Sequence, residues 1–135
     1  MINRRSFIKT SAVLTAGLLA GPNLFAYDKK IIGLQLYTVR DAMAKDPVGT
    51  LEKVAKLGYN SVEGATYTGT ELFYGMRAKD FANVLSHAGL IMPSAHYRLG
   101  EEQVNGASQM GTILNDWKKA VNDAAEAGIK YMVCA

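Results

Sequence analysis

Cysteine is nearly missing from this sequence: Cys134 is the only one in 135 residues. No disulfide can form within the chain, and a cysteine-rich metal site is excluded. The ordinary role for such a residue is a small buried strand position. Charge of one sign is missing too. The formal net charge is +3, and Arg4, Arg5 and Lys9 carry all of it. From Tyr27 onward twelve Lys and Arg balance twelve Asp and Glu. With no basic stripe, nucleic acid is not an expected partner. The apolar run from Ala12 to Ala20 is too short to span a bilayer comfortably, so no stable membrane anchor is expected.

That run belongs to "MINRRSFIKTSAVLTAGLLAGPNLFA", which orders a basic segment, an apolar segment and a small residue, Ala26, before a cleavage point. Residues 1–26 therefore read as a signal peptide. "NRRSFIK" resembles the twin-arginine export motif, with Asn3 and Ile8 departing from its usual residues; a general secretory signal with paired arginines is the alternative. No cysteine follows the run to carry a lipid. An exported, periplasmic protein is expected.

The body, residues 27–135, repeats one device. "KLGYNSVEGA", "HAGLIMPSAH" and "EAGIKYMVCA" each end an amphipathic helix on a glycine and open a β-prone run. Gly58, Gly89 and Gly128 stand where a helix needs a left-handed closing residue. Asp46 and Pro47 start the first helix, with Val48, Leu51, Val54, Ala55 and Leu57 as its apolar stripe. Phe81, Val84, Leu85 and Ala88 mark the second; Trp117, Ala120, Val121, Ala124 and Ala125 mark the third. With "KIIGLQLY" as an opening strand, strands and helices alternate strictly. The expected class is α/β with a parallel sheet, doubly wound or closed into a barrel. No G-x-G-x-x-G follows the first strand, which speaks against a dinucleotide site.

Alternation along the strands separates two faces. Ile32, Leu34 and Leu36 oppose Gly33, Gln35 and Tyr37; Val62 opposes Ser61 and Glu63; Ile91 and Ala95 oppose Met92, Ser94 and His96. The second face turns polar toward the strand C-termini, the pattern of a barrel with a site at its mouth. Glu63 on an inner face is costly unless paired, so it reads as a site residue or as half of an ion pair with Arg40 or Arg98. His96 reads as a site residue or as a histidine satisfied by backbone. Gln35 and Tyr37 complete the candidate substrate-binding set.

Four stretches, "IGLQLYTVRDAMAKDPVGTLEKVAKLGYNSVE", "FYGM", "GLIMPSAH" and "WKKAVNDAAEAGIKYMV", together resemble the sugar phosphate isomerase/epimerase family of xylose-isomerase-like TIM barrels. The resemblance implies an N-terminal part of a (β/α)8 barrel, about four strands and three helices, stopping inside the fourth strand. It implies a small sugar or sugar derivative as ligand, with Glu63 and His96 at positions that resemble pocket-lining residues; Gln35 and Tyr37 join them on the strand-face reading alone, with local packing as their alternative. A divalent metal is implied for the full-length family, on later strands; none is expected for this chain alone, and no metal ligand is assigned. The implied chemistry is isomerisation or epimerisation by proton transfer next to a carbonyl. A lyase or hydrolase of oxidised glycosides, or an inactive half-barrel that self-associates or needs a C-terminal half, are the alternatives.

Overall fold

Asp46 and Pro47 start a helix as the sequence implies: the Asp46 carboxylate accepts from the Gly49 amide at 2.9 Å, and proline takes the first turn. The computed structural model describes residues 30–100, 103–104 and 106–134. The signal peptide expected over residues 1–26 lies outside the described residues.

In chain order come β1 (Gly33–Gln35), a 3-10 turn (Leu36–Val39), α1 (Arg40–Lys45), α2 (Pro47–Lys56) and β2 (Ser61–Gly64). A small hairpin of β3 (Tyr67–Thr68) and β4 (Leu72–Phe73) precedes α3 (Ala78–Ala88) and β5 (Ile91–Tyr97). A second hairpin, β6 (Gln103–Val104) and β7 (Ala107–Ser108), precedes α4 (Trp117–Glu126) and β8 (Tyr131–Cys134). The main sheet has the order β1-β2-β5-β8 with every pair parallel. Each new strand adds on the same side. A doubly wound sheet would reverse direction at a switch point; this order winds one way, as a barrel does.

Glycine closes the helices where expected. Gly58, Gly89 and Gly128 have φ of 98°, 72° and 79°, and the Gly89 amide returns to the carbonyls of α3. The core lies between sheet and helices. Leu51 and Val54 of α2, Phe81 and Leu85 of α3, and Ala120 and Ala124 of α4 are buried against Val62, Met92, Ala95 and Tyr97. Each fully buried large side chain contributes about 1.5–3 kcal/mol. The stripes are narrower than the sequence implies. Val48, Leu57, Val121 and Ala125 are exposed, because a helix lying on a sheet covers only about 100° of its own circumference.

Three further expectations are corrected. The opening strand is short: Leu36 and Tyr37 belong to a 3-10 turn, and a helix absent from the three expected, α1, follows at once. Met92 does not share a face with Ser94 and His96. Ser61 pairs with Ile91 but Glu63 with Ser94, so β5 holds one extra residue between the two pairings. The shift turns Met92 into the core beside Ala95 and leaves Ile91 on the open face. Pro93, which has no amide proton to lose, sits within the irregular step. Cys134 is exposed instead of buried, because β8 is the last strand of the sheet.

The face of the sheet away from the helices carries Ile31, Ile91, Tyr131 and Val133 with relative exposures of 70%, 52%, 67% and 38%. The register places Tyr131 beside Ser94 and Val133 beside His96, on the same face as the polar residues.

Candidate functional site

Strand pairing assembles the polar cluster. Gln35 lies beside Glu63, and Glu63 beside Ser94, in the parallel register. Their side chains project to one face at the C-terminal ends of β1, β2 and β5. The Gln35 amide nitrogen donates to Glu63 Oε1 at 2.8 Å, and the Ser94 hydroxyl donates to Glu63 Oε2 at 2.8 Å. His96 Nε2 lies 3.0 Å from Glu63 Oε1 and 3.3 Å from the Gln35 nitrogen. Both carboxylate oxygens are thus engaged. The Ser94 hydrogen bond, with help from Gln35 and the neighbouring imidazole, holds the Glu63 carboxyl below its ordinary pKa against the opposing effect of partial burial. Glu63 is ionised at neutral pH.

The ion-pair partners weighed for Glu63 are not used. Arg40 stacks over the Tyr37 ring at 4.8 Å and reaches the Tyr37 carbonyl and Asp41. Arg98 reaches Gln109 at 3.5 Å. His96 is satisfied by side chains of the cluster, with no backbone bond to its ring among the described residues.

A cavity of about 300 Å³ opens beside the cluster, lined by Gln35, Tyr37, His96 and Arg98 with Ala65, Tyr67 and Tyr97 behind them. Tyr37 reaches it from the 3-10 turn. Tyr67 and Tyr97 pack with centroids 5.1 Å apart; the Tyr67 hydroxyl donates to Asp123 at 2.6 Å, and Lys119 closes the same carboxylate at 2.7 Å. Burial, then the Asp123 contact, drives the Tyr67 phenol far above its usual pKa, so it remains a donor at all ordinary pH. The Tyr97 hydroxyl is buried and has no hydrogen-bond partner among the described residues.

Three of the four candidates, Gln35, Tyr37 and His96, line one small volume; Glu63 stands behind them, bonded to Gln35 and His96. The residue that sequence reasoning passed over is Ser94. It was visible on the face of His96, but a serine two residues before a histidine carries no signal until the register sets it opposite Glu63. As a metal centre the cluster is poorly equipped. It offers one carboxylate and one imidazole, already paired to each other, and the described residues contain no group of three metal-ligating side chains.

Known proteins bear out the readings of the fold and of the export signal. Residues 1–21 match the TAT (twin-arginine translocation) pathway signal sequence. No curated protein matches the chain. A sugar phosphate isomerase/epimerase structure from Parabacteroides distasonis superposes with a TM-score of 0.63 at 29% identity, covering 76% of this chain and 40% of that one. A second sugar phosphate isomerase/epimerase structure from the same organism gives 0.59 at 27% identity, covering 78% and 38%. The chain thus spans about two-fifths of the length of these structures. By sequence and by fold, this chain resembles the sugar phosphate isomerase/epimerase proteins, as an N-terminal part of a (β/α)8 barrel that follows a twin-arginine signal.

Proposed function

We propose that Gln35, Glu63, Ser94 and His96 form the substrate-holding floor of a site for a sugar or sugar derivative, in a periplasmic isomerase or epimerase. One observation carries this reading: four polar side chains from three strands converge at the strand C-termini, where barrel enzymes place their sites. The names of the structural relatives agree with it. Export by a twin-arginine signal favours an unphosphorylated sugar over a phosphorylated one.

The chemistry of the class moves a proton at a carbon next to a carbonyl. Glu63 is poorly suited to be the base, because a carboxyl held below its ordinary pKa gives little driving force for proton removal. Its two oxygens, held by Ser94 on one side, suit it to fix Gln35 and His96 in place at the cavity. Gln35 and His96 offer donors or acceptors on either side, and the Tyr37 ring offers an apolar wall. A divalent metal does not fit the residues described, so no step is routed through one; the described residues account for binding, and turnover needs further groups. Isothermal titration of the full chain with glucose, xylose and their keto isomers tests the reading. Saturable binding that falls at least tenfold in Glu63→Gln and His96→Ala supports it. Equal binding by wild type and both variants would overturn it.

A further inference from the structure

We propose that the ligand of this site is a glycoside of two sugar units, with its second unit seated in a neighbouring cavity across Arg98. The inference rests on the sugar-binding reading above and names its substrate class. A second cavity, of about 330 Å³, is lined by Thr68, Thr70, Glu71, Arg98, Ser108 and Gln109, with Ala107 and Met110 at its edge. Arg98 lines both this volume and the 300 Å³ cavity beside Gln35 and His96. Each alone lies at the small end of the roughly 300–1,000 Å³ usual for ligand sites. Taken together across the Arg98 they share, the two volumes reach the middle of that range.

The lining matches a polyhydroxylated ligand. Three hydroxyls, a carboxylate, a carboxamide and the guanidinium face a volume whose remaining wall is aliphatic, and sugars present alternating hydroxyl edges and C–H faces. An anion or an apolar group would use that set poorly.

One wall of the second cavity is also built to stay in place. The β3–β4 hairpin is pinned to the loop after β7, where the Gly69 amide donates to the Met110 carbonyl at 2.8 Å. A Cβ on Gly111 would lie 2.5 Å from the Gly69 nitrogen, so the two backbones meet only because neither has a side chain. Leu72 and Tyr74 hold left-handed backbone, φ 56° and 53°, which non-glycine residues adopt when surrounding packing imposes it. Phe73 between them stacks on Phe81 at 5.4 Å. Thr68 and Glu71 of this hairpin thus face the second cavity from a fixed frame.

Calorimetry of the full chain with glucose, cellobiose and maltose tests the proposal, together with Ser108→Ile, which fills the second cavity without offering a ring to stack on. At least one disaccharide is expected to bind tenfold or more tightly than glucose, and Ser108→Ile to cancel that advantage while glucose binding stays unchanged. Equal affinity for glucose and both disaccharides would overturn the second subsite and leave the sugar site standing. So would a disaccharide preference that Ser108→Ile leaves intact. Failure of all three sugars to bind would overturn the sugar site and this proposal together.

Discussion

The side-chain nitrogens of Gln35 and His96, 61 residues apart in the chain, lie 3.3 Å from one another, and Glu63 Oε1 touches both residues. Two contacts at one imidazole nitrogen, to a donor and to an acceptor, have a chemical meaning. With Nε2 bare, His96 accepts from Gln35; with Nε2 carrying a proton, it donates to Glu63. One carboxylate serves both arrangements.

Glu63 should make stability depend on pH in one direction. Its folded pKa is depressed below the ordinary 4.5, so its stabilising effect is complete above that value and disappears as pH falls through the lower, folded pKa. Melting temperatures of wild type and Glu63→Gln, measured from pH 7 down to pH 3, should differ by a constant amount above about pH 5 and converge below pH 4. A gap that widens toward low pH would contradict the assignment.

Gly64→Ala should destabilise the sheet. A Cβ there would lie 2.7 Å from Ala95 Cβ and 3.1 Å from Met92 Sδ. Overpacking of this kind costs about 1–3 kcal/mol, read by chemical denaturation. The double variant Gly64→Ala with Ala95→Gly should recover part of the loss.

Removing the Tyr67 hydroxyl in Tyr67→Phe deletes a hydrogen bond to a mostly buried carboxylate. The expected cost is about 1.5–3 kcal/mol, seen as a lower denaturation midpoint at unchanged m-value. Asp123→Asn should cost less than Tyr67→Phe with Asp123→Asn combined, since an amide oxygen still accepts the phenol.

Replacing Arg4 and Arg5 by Lys should stop export and leave the precursor inside the cell, given the twin-arginine signal over residues 1–21. Cell fractionation followed by mass spectrometry reads the outcome. Undiminished export would point to the general secretory route.

Purified by itself, the chain should self-associate. The open sheet face exposes Ile31, Ile91, Tyr131 and Val133 together, and β1 and β8 are both edge strands. Light scattering should report species larger than a monomer. Ile91→Lys with Tyr131→Lys should shift the mass toward monomer; an unshifted mass would mean that another surface is responsible.

What was legible in the sequence was whatever local rules control. Asp46 with Pro47, and Gly58, Gly89 and Gly128, marked helix ends through capping chemistry that needs no partner. The alternation of strand and helix carried the parallel topology. Glu63 and His96 stood out because a charged or titratable residue on an inner strand face requires a reason. Ser94 and the fate of Met92 were not legible, since both depend on a register step in β5 that is set by pairing with β2. The Tyr37 turn was hidden for a related reason: "LQLYTV" has strand-like alternation, and only the packing of Leu36 into the core bends it into a 3-10 turn. The seam between the first hairpin and the loop after β7 rests on Gly69 and Gly111, whose close approach across 42 positions has no local signature.

The extra residue in β5 makes that strand unequal in what it can lose. Without Pro93, Ile91, Ser94 and His96 would alternate regularly with Met92 and Ala95, each on the face it now occupies. Loss of Ala95 would instead rotate His96 toward the helices and take the imidazole from Glu63. A gap in the gene is therefore tolerable at codon 93 and ruinous two codons later.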